Sequence, residues 1–101
     1  MTSVIIKQKA DQISYLEIND HAGFAKKGED IVCAAISSIV FGALNALVEY
    51  NLSEDNIQVA DVSIKISLVD TLEIQMIVKT MVIQLQTIQE KYPDYIQILF
   101  N

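Results

Sequence analysis

The sequence predicts an α/β (α+β) domain in which a mixed β-sheet packs with two long helices, in the order β-β-α-β-β-α-β. Three observations point there. The chain has 101 residues, 51% of them hydrophobic, which fits one small domain with a packed core. Two long stretches, near residues 30–50 and 71–92, carry helical periodicity. The segments around them are short, β-branched and partly alternating, as strands are. No internal repeat, linker or low-complexity stretch divides the chain, so residues 1–101 read as a single domain.

Val4-Ile5-Ile6-Lys7 is a β-branched run, and Ile13-Ser14-Tyr15-Leu16-Glu17-Ile18 is a second. Ala10-Asp11-Gln12 between them makes residues 4–18 a hairpin, without the Asn-Gly of a tight turn. A polar loop from Asn19 to Glu29 follows. Asp30 is a good N-cap, with Glu29 adding negative charge where the helix dipole favours it. The first helix should run to about Tyr50. Ile36, Val40, Ala43, Leu44 and Leu47 form one apolar face. Ile39, Phe41, Ala46 and Val48 extend that surface nearly around the helix, which predicts burial on more than one side.

Residues 51–56 are polar and connect to a short strand at Ile57-Gln58-Val59. Val62 to Leu68 alternates apolar and polar residues and is the clearest strand in the chain. Asp70-Thr71 can cap the second helix. Its expected stripe is Ile74, Ile77, Met81, Leu85, Ile88 and Tyr92. Glu73, Gln75, Lys79, Gln84, Gln86 and Glu90 are expected on its polar side. Pro93 ends it, and Tyr95 to Phe100 reads as a closing strand.

Composition excludes several functions. One Cys allows no internal disulfide, and one His with one Cys leaves no set of soft ligands, so neither a metal nor a cofactor is expected. A free thiol suits a cytoplasmic location. Net charge is −6 and there is no Arg, which argues against direct nucleic-acid binding and for a basic partner. The N-terminus lacks the pattern of a signal peptide. The apolar run Ile31–Val48 is interrupted by Ser37, Ser38 and Asn45, so no membrane span is expected there.

The chemistry concentrates in residues 20–37, which hold the only His, the only Cys and two of the three glycines. With Asp30 as N-cap, Cys33 stands at the third helical position, where unpaired amides and the helix dipole favour a thiolate. The same amides could receive an oxyanion. His21, brought back by the loop, could take the thiol proton. Asp30 could orient the imidazole, and Ser37 lies one turn after Cys33 on the same face. Gly23 and Gly28 can act as hinges. Blander readings stand beside these. A lone Cys among Ile31, Val32, Ala34 and Ala35 is usually a small buried hydrophobe, and a lone loop His is usually solvated. Taken from the residues alone, core packing is favoured over catalysis.

Residue order adds a resemblance. His21-Ala22, a glycine-bearing loop and then Gly28-Glu29-Asp30-Ile31-Val32-Cys33-Ala34-Ala35-Ile36-Ser37 are similar to the ribosomal-processing cysteine protease family, Prp. The similarity continues through Phe41-Gly42-Ala43-Leu44-Asn45-Ala46 and returns at Leu85 to Pro93. Where the family commonly has Gly before the His, this chain has Asp20, and the connection around Val59-Ala60-Asp61 has no Gly-rich turn. The resemblance implies a cytoplasmic, homodimeric endopeptidase. Its substrate would be the basic precursor of large-subunit ribosomal protein L-twenty-seven, relieved of a short N-terminal extension before it serves in the ribosome. Cys33 would be the nucleophile and His21 the general base and acid, with Asp30 and Ser37 in support. Gly23, Phe24 and Gly28 would belong to a loop over the substrate. The competing expectations are a non-catalytic ribosome-associated binding module and a purely structural dimeric domain.

Overall fold

The computed structural model describes residues 1–26 and 30–101. Strands β1 (Thr2–Lys9) and β2 (Gln12–Asn19) form the antiparallel hairpin, and helix α1 spans Ile31–Glu49. A single 3₁₀ turn at Glu54–Asn56 leads into β3 (Ile57–Val59) and β4 (Ser63–Ser67). Helix α2 (Leu72–Lys91) and strand β5 (Ile96–Phe100) complete the chain. The element order is the expected one, and the 3₁₀ turn is an addition to it. The sheet order is β3-β4-β2-β1-β5, with β1 and β5 parallel and every other pair antiparallel, so the sheet is mixed.

The strands bury one face. Val4, Ile6, Leu16, Ile18, Ile66 and Ile96 point into a single core with Val32, Ile36, Val40, Leu44 and Leu47 of α1 and Ile74, Val78, Met81 and Leu85 of α2. The alternation that pointed to strands is the alternation that fills this core. Ile13 and Leu16 are three residues apart yet both face inward. An irregularity in the β1–β2 register between Lys7 and Gln8 allows this, because Ser14 is an extra residue on β2. The Ser14 hydroxyl donates to the Lys7 carbonyl at 3.1 Å across that bulge.

Three sites differ from the expectations. Gln75, placed on the polar side of α2, is 4% exposed. Its amide reaches the β2 backbone, accepting from Ile13 N–H at 2.9 Å and donating to Ile13 O at 2.9 Å and Val69 O at 2.8 Å. A buried amide is tolerable because each of its polar atoms has a partner. Second, α1 is buried along one stripe rather than nearly all round. Phe41 and Val48 stay exposed on its outer side, since the sheet and α2 together cover only part of its circumference. By length and composition α1 is apolar enough to cross a membrane, but here its inner stripe belongs to the domain core. Third, β1 and β2 extend beyond the short runs that announced them, with β1 starting at Thr2, whereas β4 and β5 are shorter than their expected runs.

The end of α1 is tied by its own backbone. Asn51 takes φ +76°, its N–H donates to Val48 O at 3.0 Å, and Leu52 N–H donates to Leu47 O at 2.9 Å. That is a Schellman closure with an asparagine in the left-handed position, and buried Leu52 and Leu47 supply its apolar contact.

Candidate active site

The site lies where the end of β2 gives way to the loop and the loop enters α1. Asp20, the residue after β2, has φ +67° and turns the chain out of the sheet. His21 follows and is exposed, whereas Ala22 is 2% exposed and locks into the core. Gly23 takes φ +74°, a conformation that an L side chain adopts only with strain. A Cβ there would meet nothing nearer than the Met1 nitrogen at 3.9 Å, so the backbone angle rather than crowding calls for glycine.

Asp30 is the N-cap of α1. One carboxylate oxygen accepts from Cys33 N–H at 2.8 Å, and the other accepts from Phe24 N–H at 3.0 Å. The same side chain therefore closes the helix and staples the near part of the loop to it. The Cys33 amide is the largest of the influences that hold the Asp30 carboxyl below its ordinary 3.8, with lesser help from the amides of Ala25, Phe24 and Val32. Phe24 is fixed at its ring as well. It stands edge-on to Tyr92 at 5.6 Å and to Tyr95 at 5.0 Å, at the junction of α2 and β5. Gly28, expected as a second hinge, lies outside the described residues together with Lys27 and Glu29.

His21 and Cys33, twelve residues apart in sequence, meet here. Nδ1 of the ring lies 3.8 Å from Cys33 Sγ, a long hydrogen bond to sulfur, and the half-buried thiol is free. A nucleophile and base in unliganded enzymes commonly stand at such distances and close up around substrate. One expectation changes. The Cys33 amide is given to Asp30 Oδ1, and the Ala34 amide donates to Asp30 O at 3.0 Å in the first helical bond. Neither is left to hold an oxyanion. Asp30 itself faces these amides and Phe24 rather than pairing with the imidazole.

Two cavities meet at the pair and share His21, Cys33 and Ser37. The larger, about 490 Å³, runs past Gly23, Ala25, Asp30 and Ala34. The smaller, about 130 Å³, lies on the other side between Phe41 and the β3–β4 connection at Val59 and Val62. An extended chain crossing Cys33 would have a cavity on each side of the bond in reach. Ser37 is exposed and borders both, which puts its hydroxyl beside the same crossing point. Phe24 lines neither cavity, because its ring is held by Tyr92 and Tyr95. Among the described residues no group of three or more His, Cys, Asp or Glu is placed to hold a metal ion.

The model of the cysteine protease Prp family matches residues 1–97. The chain belongs to that family. The ribosomal processing cysteine protease Prp of Staphylococcus aureus is 36% identical over 88 residues, covering 83% of each chain. The Bacillus subtilis Prp is 27% identical over 110 residues, with 100% of this chain and 98% of the relative covered. The solved structure of the S. aureus Prp with a covalently linked product peptide superposes over all of both chains. Its TM-score is 0.93 at 31% identity. A cysteine protease is therefore the activity shown, and the mixed sheet with two helices is the Prp fold. Sequence reasoning gave Tyr92 and Tyr95 only structural places in the second helix and the last strand and did not single out Thr2, yet these three hold the first residues of the loop. Nothing local in their sequence distinguishes them from strand and helix residues.

The Asp30 staple carries a prediction. Asp30→Ala removes both acceptors, so hydrogen exchange at the Cys33 and Phe24 amides should accelerate together while β-strand amides keep their protection. Acid should do the same. A carboxyl whose folded value is depressed contributes its stabilisation above its ordinary value. That contribution is lost as pH falls through the lower folded value, here in the range below 3.8. Exchange measured across that range should therefore show the loop releasing before the sheet.

Proposed function

We propose that this chain removes the short N-terminal extension of the precursor of large-subunit ribosomal protein L-twenty-seven, with Cys33 as nucleophile and His21 as general base and acid. The approach of His21 Nδ1 to Cys33 Sγ, at the meeting point of two cavities, carries this reading. The relatives are named ribosomal processing proteases, which supports the substrate class.

The reading requires the following steps. His21 Nδ1 takes the thiol proton, and the sulfur attacks the scissile carbonyl carbon. A C–S bond forms as the carbonyl electron pair moves to oxygen. The tetrahedral intermediate collapses, the C–N bond breaks, and the imidazolium returns its proton to the leaving amine. A water then gives a proton to His21 and attacks the thioester. Its C–O bond replaces the C–S bond, and Cys33 recovers its proton. Ser37, bordering both cavities, would donate to the developing oxyanion, because the Cys33 amide is bound by Asp30. Asp30 supports the pair by fixing the helix start and the loop at once. Gly23 lines the larger cavity, and Gly28 would act as the hinge that lets the loop beyond anchored Phe24 close over an extended peptide.

The partner is a basic ribosomal protein, which the net charge of −6 attracts, and no nucleic acid is bound directly. The enzyme acts as a homodimer in the cytoplasm. Exposed Phe41 and Val48 on α1 and Met76 and Ile83 on α2 offer apolar surface for a second copy. The test is incubation with the extended ribosomal protein followed by intact-mass measurement. The expected result is two fragments whose masses sum to the precursor plus one water. A precursor left whole by stoichiometric enzyme would sink the substrate assignment.

A further inference from the structure

We propose that Thr2 is a positioning residue for the catalytic pair: its hydroxyl holds the Asp20 carbonyl and so fixes the left-handed turn that aims His21 at Cys33. The proposal rests on the reading of His21 and Cys33 as catalytic.

The β1–β2 ladder ends at Ser3 opposite Asn19, and the next rung would pair Thr2 with Asp20. That rung cannot form through backbone alone. Asp20 has left the extended region, at φ +67°, and Thr2 N–H is given to Tyr95 O at 3.0 Å on the β5 side. The side chain substitutes, with Thr2 Oγ1 donating to Asp20 O at 3.1 Å. From the opposite flank, Asp20 N–H donates to Val62 O at 2.8 Å. Both polar groups of Asp20's backbone are thus held, one by β1 and one by the connection between β3 and β4. A non-glycine residue with positive φ persists where its surroundings over-determine it, and these two bonds do so.

His21 hangs between this clamped residue and Ala22, which is buried in the core. Its ring is exposed, so its direction is inherited from the backbone rather than from packing. An error in the angles at Asp20 is magnified along the side chain before it reaches Nδ1. The distance at stake is the 3.8 Å approach to sulfur. Thr2 is itself 2% exposed, and valine would fill the same volume, so packing alone gives no reason for a hydroxyl there. The Asp20 carbonyl does.

Serine and alanine at position 2 differ only by the hydroxyl, which makes them the deciding pair. Thr2→Ser should keep wild-type kcat on a peptide spanning the ribosomal processing site. Thr2→Ala and Thr2→Val should lower kcat about tenfold at unchanged KM, the cost of a misplaced base. The second readout is the pH profile of Cys33 alkylation by iodoacetamide, with His21→Ala as reference. The Ala and Val variants should move toward that reference, and Thr2→Ser should stay with wild type. Equal kinetics and equal profiles for Ser and Ala would overturn the proposal, as would a folded Val variant indistinguishable from wild type. If Val fails to fold, the Ser–Ala comparison decides. A wild-type profile identical to that of His21→Ala would overturn the pair itself, and Thr2 with it. That outcome is separate from one in which the pair stands and Thr2 is indifferent.

Discussion

Cys33→Ala is expected to abolish cleavage, lowering the rate by at least ~10⁴-fold, while the thermal midpoint stays close to that of wild type. Residues that act as a unit lose nearly everything when any one is removed. The same argument makes His21→Ala comparably severe and the double variant scarcely worse than either single one. The fold should survive. Cys33 is half-buried at the edge of the core, and alanine keeps its Cβ and its amide bond to Asp30. Helix propensity favours alanine as well. Single-turnover cleavage followed by mass, beside circular dichroism, makes the measurement. An alanine variant within about tenfold of the wild-type rate would remove Cys33 from the chemistry, because a missing nucleophile costs orders of magnitude more. An inactive variant that has also unfolded would shift attention to a Cys33→Ser replacement, which keeps the volume and loses the thiol.

Gln75→Ala should produce the largest loss of stability from a single polar side chain. Gln75 supplies three hydrogen bonds to two residues, Ile13 and Val69, from a position 4% exposed. Before Tyr15, β2 has no β4 residue opposite it, since their pairing runs from Tyr15–Ser67 to Asn19–Ser63, and the chain after β4 adds only the bond from Leu68 N–H to Ser14 O at 2.9 Å. The Gln75 amide stands in for the missing strand and satisfies both backbone groups of Ile13. Alanine would leave those groups unpaired in an apolar setting and open a void besides. The expected cost is about 3 kcal/mol, or a fall in thermal midpoint of roughly 10–20 °C for a domain of this size. Ile13 lies by the hairpin turn, whereas Thr2 and Asp20 lie at the opposite end of the same two strands. Cleavage per folded molecule should therefore be unchanged at temperatures well below the midpoint. A midpoint that moved by less than a few degrees would mean that water or a rearranged β2 edge replaces the amide.

Gln75 also shows why part of the fold was not legible. Helical periodicity assigns a glutamine to the polar face because a lone amide is costly to bury. Whether a backbone edge waits opposite it depends on where β4 ends and where β2 bulges. Those facts belong to the sheet, not to the helix. The outer surface of α1 is a second instance. Ile39, Phe41, Ala46 and Val48 announce an apolar helix, but the area a small sheet and one neighbouring helix can cover leaves Phe41 and Val48 outside. The element order needed no such information. Strand alternation at residues 62–68, the capping aspartate at 30 and the proline at 93 are local signals with local causes.

The residues of the candidate site were legible in a similar, partial sense. A single His, a single Cys and an aspartate three residues before the Cys limit the chemistry, and their order identifies the family. Local reasoning also placed Cys33 at the third position of the helix, since an N-cap aspartate counts forward to it without help from the rest of the chain. By itself, the sequence determined the elements, the cap and the chemical types available, because each follows from neighbours within a few residues. The tertiary structure decided the rest. It brought His21 to 3.8 Å from Cys33, bound the Cys33 amide to Asp30 and sent the Phe24 ring to Tyr92 and Tyr95. It also clamped Asp20 between Thr2 and Val62. Each of these contacts joins segments distant in sequence or turns on a backbone angle set by the sheet, and such distances exist only once the core has closed.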